Sequence, residues 1–273
     1  MIRIKMPRNL PPEIDSWRAK SLEITQEILG ATSLGEKHAL IERYKDHWRD
    51  HNLVNFFSDI SFEKCWYTET KFGGDYQEIE HFRPKKSTRN SDGTAHTTHT
   101  GYYWLAFDLS NYRLCKSRPN RKKGTFFPIF NESLRAFGES DPWEDEIPYL
   151  LDPLRSSDVV LLSFDDNGKP VPELHSNEDE VRRVNFTVDK YYLDERVLNM
   201  RRKQTWNAAR DLFNSYLNAL QNVTKSVSKR QDAENELNKL EDMLSREAEF
   251  SSVAKASLIK TGDPIAMKIA TST

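Results

Sequence analysis

The stretch Glu78-Ile-Glu80-His81-Phe-Arg83-Pro-Lys85 is the part of this chain that decides its fold. From Gln77 to Phe82, polar and apolar residues alternate, which is typical of a half-buried β-strand. Downstream, Asn111 to Cys115 predicts a second short strand, and Arg118 to Lys123 predicts the start of a helix. We therefore expect two strands followed by a helix, with a carboxylate beside a histidine on the first strand.

The side chains at these positions are suited to cutting a phosphodiester bond, which needs an activated water, a cation and an aligned phosphate. Neighbouring side chains of a strand point to opposite faces, so Glu80 and His81 can divide the work. His81 is the candidate general base, because an ordinary histidine titrates near neutral pH. Glu80 and Asn120 are candidate metal ligands, since their oxygens suit Mg²⁺ or Mn²⁺. We expect Asn111 to bridge the two strands and orient His81.

Charge is distributed unevenly along the chain. The segment His81–Lys123 contains ten Lys or Arg and two Asp, a local charge of +8 in a protein of net charge −2, so the remainder carries −10. A basic island on an acidic body suits a polyanion bound at one place, although a solvated basic loop would have the same composition. The candidate phosphate-contacting residues are Arg83, Lys85, Arg118, Lys122 and Lys123.

Composition restricts the class of protein. The 273 residues are 37% hydrophobic, enough for a core, while a mean hydropathy of −0.75 indicates a very polar surface. No apolar run approaches the roughly 18 residues that span a bilayer, and the segment Met1–Arg8 has no apolar stretch typical of a signal peptide. Two cysteines do not make a disulfide framework. These features predict a soluble, cytoplasmic protein.

The organisation that we predict is an α+β fold in which a small strand–strand–helix core is embedded in N- and C-terminal helices. Its predicted parts are an N-terminal arm and helical lead-in (1–60), the core (61–130), an acidic extension with strands and loops (131–188) and a C-terminal helical region (189–273). Helices are expected at Ile14–Gly30, from a capping box at Ser33 to about Asp50, and at Leu53–Ile60. Cys65–Thr68 is expected to be a strand, and the tail from Ser251 to be frayed.

Several motifs together resemble those of the HNH, or ββα-metal, nucleases. They are Cys65-x-Tyr67-x-Glu69, the stretch around Glu80-His81, Asn111-Tyr-Arg-Leu, and Asn120-x-x-Lys123-Gly-x-x-Phe127-Pro. Within that class the chain is similar to the HNH endonucleases of Septu and retron anti-phage systems, called PtuB, over roughly residues 60–205. The resemblance implies that Glu80 and Asn120 bind the metal, that His81 is the base and that Asn111 is the asparagine of the hairpin. It also implies a PtuA-type ATPase as partner and, in retron versions, a reverse transcriptase with its nucleic acid.

One departure concerns zinc. Many HNH proteins hold a structural zinc with two Cys-x-x-Cys pairs, but here the second cysteine of each pair is replaced, by Thr68 and by Arg118. Two thiolates make a poor tetrahedral site, so we expect no structural zinc, with Cys65 and Cys115 buried as small apolar groups. Pro119, inserted before Asn120, also shifts the local register.

Two classes of function remain open from the sequence. The first is a metal-dependent nuclease that acts as the effector of a defence complex. The second is a non-catalytic nucleic-acid-binding or scaffold subunit on a decayed HNH fold. The presence of Glu80, His81 and Asn120 together favours the nuclease, and the substrate can be DNA or an RNA such as tRNA.

Overall fold

The computed structural model describes residues 1–221 and 227–272, and it combines many helices with two small antiparallel sheets, which confirms the predicted α+β class. The helices are α1 (Pro12–Gly30), α2 (Leu34–Arg43), α3 (His51–Asp59), α4 (Ser117–Lys123), α5 (Ser156–Val159), α6 (Glu178–Lys190), α7 (Arg196–Leu220), α8 (Val227–Leu244), α9 (Ser251–Ile259) and α10 (Pro264–Ser272). The strands are β1 (Gln77–His81), β2 (Tyr112–Lys116), β3 (Leu162–Phe164) and β4 (Pro170–Pro172). Across the described ranges, no helix is both long and apolar enough to cross a membrane.

The helices of the lead-in begin where the sequence signals place them. Proline stands at the first turn of α1, where a missing N–H costs nothing. The capping box of α2 is present: Ser33 accepts from the backbone of Glu36, whose side chain accepts in return from Ser33. A cap of this kind stabilises a helix by about 1 kcal/mol. Asp50 caps α3 in the same manner, accepting from two backbone N–H groups.

The end of α2 was predicted wrongly. The helix ends at Arg43 and a short 3-10 turn follows at His47–Arg49, instead of one helix that continues to Asp50. Tertiary contacts explain the break: the indole of Trp17 donates to the carbonyl of His47 at 2.8 Å and stacks on its ring at 4.8 Å. The turn thereby carries Trp48 into the core, where it packs against the first strand of the site.

The predicted strand at Cys65–Thr68 was also wrong. These residues form a turn, in which Cys65 accepts from the backbone of Glu69 and donates to that of Thr70. Glu69 adopts a left-handed φ of 62°. Its carboxylate accepts from the N-terminus of α9 at Ser252, a contact far away in sequence. A local pattern of alternating residues cannot reveal a turn that is stabilised from so far along the chain.

The C-terminal tail is ordered rather than frayed, because α9 joins two hydrophobic clusters. Val253 and Ala256 belong to the main core, which extends from Met1 through both strands of the first sheet. Ala254 and Leu258 belong to a second cluster, formed with α7, α8 and α10. Small residues pack closely here but give only a weak amphipathic pattern, which is why the segment from Ser251, now α9 and α10, was expected to be frayed. Within the predicted C-terminal region, 222–226 and 273 lie outside the described residues.

Candidate active site

The site is built on the antiparallel pair β1–β2 and on α4, which follows β2 directly. In the register of the pair, Glu80 lies opposite Arg113, and His81 lies opposite Tyr112. The first sheet consists of these two strands, so within the described part of the chain no strand lies beside the far edge of β1. This gives the order of elements that the sequence predicted and leaves one edge of β1 available for a ligand.

Asn111 fixes the chain at the end of the hairpin. Its Oδ1 accepts from the backbone N–H of Arg83 at 2.7 Å, and its Nδ2 donates to the carbonyls of Arg83 (3.0 Å) and Leu105 (3.1 Å). The side chain therefore bridges the two segments, as its spacing suggested. It contacts the backbone two residues beyond His81 and not the imidazole, so an orienting effect on the histidine stays a prediction.

The imidazole of His81 is held in one tautomer. Its Nε2 lies 2.9 Å from the carbonyl oxygen of Ala106, which can only accept, so Nε2 carries the proton and Nδ1 presents a lone pair. The rings of Trp48 and Tyr112 stand edge-on to it, each with a centroid distance of 5.0 Å. Burial, followed by the nearby charge of Lys85, holds the pKa of His81 well below its ordinary value. The ring is thus neutral at physiological pH, the state that a general base requires.

Lys85 is the cation next to this base. Its Nζ lies 3.4 Å from Nδ1 of His81 and 4.7 Å from the centre of the Trp48 ring. Burial lowers the pKa of Lys85 to about 8, and repulsion from Lys123 adds to that shift. An ammonium group at this position can contact an oxygen of a phosphate group. A water molecule bound to His81 could then attack the phosphorus of that phosphate.

Glu80 points to the opposite face of β1 and is paired with a buried lysine. The Nζ of Lys123 contacts the Glu80 carboxylate and also donates to the carbonyls of His81 (2.6 Å) and Phe82 (2.9 Å). The hydroxyl of Tyr191 lies 3.4 Å from the other carboxylate oxygen. Burial lowers the pKa of Lys123, and the Glu80 carboxylate opposes that shift. Lys123, the last residue of α4, thus links that helix to the end of β1 and to the residue that follows it.

Glu78 shares a face of β1 with Glu80 and is the residue that meets Asn120. Its carboxylate accepts from Nδ2 of Asn120 at 2.7 Å and from the hydroxyl of Ser117 at 2.5 Å. Sequence reasoning assigned no role to Glu78. The two-residue period of a strand, which places positions 78 and 80 on one face, was the signal that could have found it.

A cavity of about 600 Å³ runs along the free edge of β1 and collects these groups. Every residue from Tyr76 to His81 lines it, together with Trp48, Lys85 and Asn120. Glu80, His81 and Asn120 therefore line one cavity together with Glu78, although the Glu80 carboxylate is buried against Lys123. Asn111, the remaining candidate catalytic residue, is buried and does not line the cavity.

Three residues of this cavity carry oxygen donors of the type that a hard divalent cation prefers. Glu78, Glu80 and Asn120 offer two carboxylates and one amide, the type of sparse oxygen set that Mg²⁺ completes with water. Among the described residues, no group of three or more His, Cys, Asp and Glu is arranged so that it could hold a metal ion. A cation here would therefore be held by few protein ligands, and its hold on Glu80 would compete with that of Lys123.

The predicted basic residues separate into two groups. Arg83 is buried and paired with Glu146 at 2.8 Å, and Lys123 is buried against Glu80, so neither offers its charge to a surface ligand here. Lys85 lines the cavity, while Arg118 and Lys122 are exposed on α4. Arg118, Lys122 and Lys85 are the members of the set that can reach a polyanion.

Cys65 and Cys115 are both free and buried. Their side chains are hydrogen-bonded to each other, and burial holds the pKa of Cys115 well above its usual value. Thr68 and Arg118 occupy the positions where further thiols would have to stand, and Arg118 is exposed on α4. The two sulfurs form a packed pair inside the core at the base of the hairpin.

Part of this chain is similar in sequence to a known bacterial protein. Over 173 residues it is 34% identical to the Septu protein PtuB of Bacillus mycoides (strain KBAB4). The aligned region covers 60% of this chain and 56% of that protein, so the chain spans a little over half the length of this relative. No protein-family model matches the chain. The similarity supports a Septu-type defence protein.

Proposed function

We propose that this chain is a metal-dependent HNH endonuclease, which hydrolyses phosphodiester bonds of nucleic acid as the effector of an anti-phage defence complex. The observation that carries the proposal is the state of His81: a buried, neutral imidazole whose Nε2 donates to a backbone carbonyl and whose unprotonated Nδ1 lies 3.4 Å from Nζ of Lys85. Glu78, Glu80 and Asn120, which carry oxygen donors, line the same cavity, and this favours a catalytic role over a scaffold role.

Five residues of the cavity have a defined part in the proposed reaction. His81 takes the proton of the attacking water on Nδ1, and its hydrogen bond to Ala106 stabilises the imidazolium that forms. Glu78, Glu80 and Asn120 would hold Mg²⁺ or Mn²⁺, which supplies charge stabilisation for the phosphorane-like transition state and the leaving oxygen. Lys85 binds a non-bridging phosphate oxygen and so orients the phosphorus toward the water. A positioned base of this kind contributes about a hundred- to ten-thousand-fold in rate.

The buried pair of Glu80 and Lys123 favours the second candidate, a non-catalytic nucleic-acid-binding subunit on a decayed HNH fold. In this pair the carboxylate already has a cationic partner and is 2% exposed, so a metal must displace or share Lys123. Direct metal binding separates the two candidates. A nuclease should bind Mn²⁺ through the cavity, and a decayed fold should bind nucleic acid without binding the metal.

The partner in this proposal is a PtuA-type ATPase, and in a retron setting also a reverse transcriptase with its RNA and DNA. The similarity to a Septu protein supports such an assembly. We hypothesise that the C-terminal helices bind the ATPase, which restrains the nuclease until a trigger arrives. The exposed face of α10, with Ile265 and Met267 each more than two-fifths exposed, is the candidate contact.

Deletion of the chain after Ser226, a position outside the described residues, would not test this contact cleanly. It would remove α9 and with it Val253 and Leu258, which are fully buried in the two clusters. Single exposed substitutions are sharper. Ile265→Ser should reduce co-purification with the ATPase, and Leu22→Ser, an equally apolar exposed change on α1, is the matched control. Loss of the partner with Leu22→Ser alone would place the contact on the N-terminal helices.

The experiment that tests the proposed activity is a cleavage assay on plasmid DNA, single-stranded DNA and tRNA, with and without the partner ATPase. Wild-type protein should cut at least one of these with Mg²⁺ or Mn²⁺ and stop when EDTA is added. His175→Ala, which removes an exposed histidine outside the cavity, should leave cleavage unchanged. Full activity after exhaustive chelation would exclude the mechanism.

A further inference from the structure

A second cavity, of about 490 Å³, lies beside the candidate active site. Tyr76 lines both cavities, so the two are neighbours on one surface. The far wall comes from the first residues of α4 and from the segment between α6 and α7. This volume falls within the range of about 300–1,000 Å³ that is usual for sites that bind small molecules.

Two aromatic rings are presented at this cavity in unusual ways. The side chain of Tyr76 is 86% exposed, the highest value among the large hydrophobic residues that the structure describes as exposed. Tyr192 adopts a left-handed φ of 54°, which is rare for a bulky residue. The guanidinium of Arg118 lies 3.9 Å from the centre of the Tyr192 ring. The cavity thus offers one free aromatic face and one cationic plane.

The cationic side chains of this cavity are only partly neutralised. Lys116 is paired with Asp75 at 2.8 Å, and Arg201 with Glu249 at 2.6 Å. Arg118 and Arg121 are exposed, and within the described ranges neither is within ion-pair distance of a carboxylate. Glu195 also lines the cavity, but its carboxylate accepts from the backbone at the start of α7. The cavity therefore carries two uncompensated guanidinium groups.

We propose that this second cavity binds one unpaired nucleotide of the nucleic acid next to the bond that is cut. The base stacks on Tyr76, its phosphate contacts Arg118 and Arg121, and the strand continues across Tyr76 into the cavity of His81. The inference rests on the proposed nuclease function and names its substrate class as single-stranded, or locally unpaired, nucleic acid.

The combination of features favours a single strand over a duplex. In a duplex both faces of each base are covered by its neighbours, so a protruding ring such as Tyr76 has no face to meet. An unpaired base has a free face, and stacking on an aromatic side chain depends little on which base it is. Because Tyr76 stands between the cavities, a stacked base would also set which phosphate reaches His81.

The test is binding of a 12-nucleotide fluorescent oligonucleotide to the full-length chain in EDTA, so that no cleavage occurs. Single-stranded DNA, single-stranded RNA and the corresponding duplexes are compared by anisotropy. Tyr76→Ala and Arg121→Ala should each weaken single-strand binding by about fivefold or more. Tyr76→Phe keeps the aromatic face and should bind within about twofold of wild type. Arg18→Ala removes an exposed guanidinium on α1, outside both cavities, and should have no effect.

Single-strand binding that falls with Tyr76→Ala but not with Tyr76→Phe supports the inference, and the DNA and RNA arms show which sugar is preferred. This result stands even if no condition produces cleavage, in which case only the proposed enzymatic function fails. The inference is overturned if wild type does not bind single strands, if Tyr76→Ala and Arg121→Ala both bind like wild type, or if a duplex binds as tightly and responds equally. Metal-dependent cleavage can persist in each of those cases, so the two proposals fail separately.

Discussion

Glu78 and Asn120 are joined side chain to side chain, with Nδ2 of the asparagine 2.7 Å from the carboxylate. This bond connects β1 to α4, and both residues line the main cavity. It leaves Oδ1 of Asn120, the better metal ligand of that amide, for another partner. Since Glu78 and Glu80 share one face of β1, Glu78 is a third candidate metal ligand beside Glu80 and Asn120, the two that the sequence predicted.

We expect Glu78→Ala to weaken the binding of the metal. Loss of one of two carboxylates removes charge from a sparse oxygen site, so the Mn²⁺ concentration for half-maximal binding should rise by about tenfold or more. Electron paramagnetic resonance of free Mn²⁺ measures this without any substrate. Glu23→Ala, an exposed carboxylate on α1, is the control. Unchanged Mn²⁺ affinity in Glu78→Ala would remove Glu78 from the ligand set.

The rate of cleavage should depend on pH through His81 and Lys85. The pKa of His81 is lowered below the ordinary value of 6.5, so the base is still unprotonated at pH 6.5. The acid limb of the pH–rate profile should therefore lie below that pH. Lys85, with a pKa of about 8, loses its charge as the pH rises through 8, which should produce an alkaline limb there. Rates at low substrate concentration report these groups in the free protein.

Lys85→Arg tests the alkaline limb directly. Arginine stays charged, so this variant should remain active above pH 8, where wild type declines. Lys86→Arg, next in the chain, should keep the wild-type profile. An alkaline limb at the same pH in wild type and in Lys85→Arg would show that another group titrates there.

We expect Arg83 to stabilise the folded protein and not to bind phosphate. Its guanidinium is buried and donates to Glu146 and to the carbonyl of Trp143, both at 2.8 Å. Removing one member of a buried ion pair costs about 3–5 kcal/mol of unfolding free energy. Urea unfolding of Arg83→Ala should show that loss, and Lys122→Ala, exposed on α4, should stay within about 0.5 kcal/mol of wild type. An Arg83→Ala protein of near-normal stability would contradict this assignment.

The two buried cysteines should be dispensable for folding. Cys65→Ser and Cys115→Ser should each remain folded, with a loss of about 1–2 kcal/mol that is typical of a changed buried side chain. Elemental analysis of wild type should find no zinc bound by these sulfurs. One zinc per chain, lost in both variants, would show a metal site that uses ligands outside the pair.

Short-range sequence patterns predicted the part of the site that is formed by residues close together in the chain. Alternation of polar and apolar residues predicted β1. The residues around Asn111 and Asn120 predicted β2 and α4, which pack against it. The same period placed Glu78 beside Glu80, although no role was assigned to it. These inferences succeed because the geometry of a hairpin and its following helix is fixed by residues close in sequence.

The remaining parts of the site come from distant segments. Trp48 reaches His81 only because α2 ends early, and Tyr192 reaches Arg118 only because the chain after α6 turns back onto α4. The burial of Arg83 depends on Glu146, far downstream. No periodicity encodes such contacts, so a basic residue next to the motif was assigned to phosphate binding when it is part of the core.

One measurement tests most directly whether His81 is the general base. His81→Ala is compared with wild type and His175→Ala in the partner complex, with Mn²⁺ present and with the substrate that wild type cuts. We predict that His81→Ala loses at least about a hundredfold in cleavage rate while it keeps wild-type Mn²⁺ binding and nucleic-acid affinity. Cleavage by His81→Ala within about threefold of wild type would contradict the account.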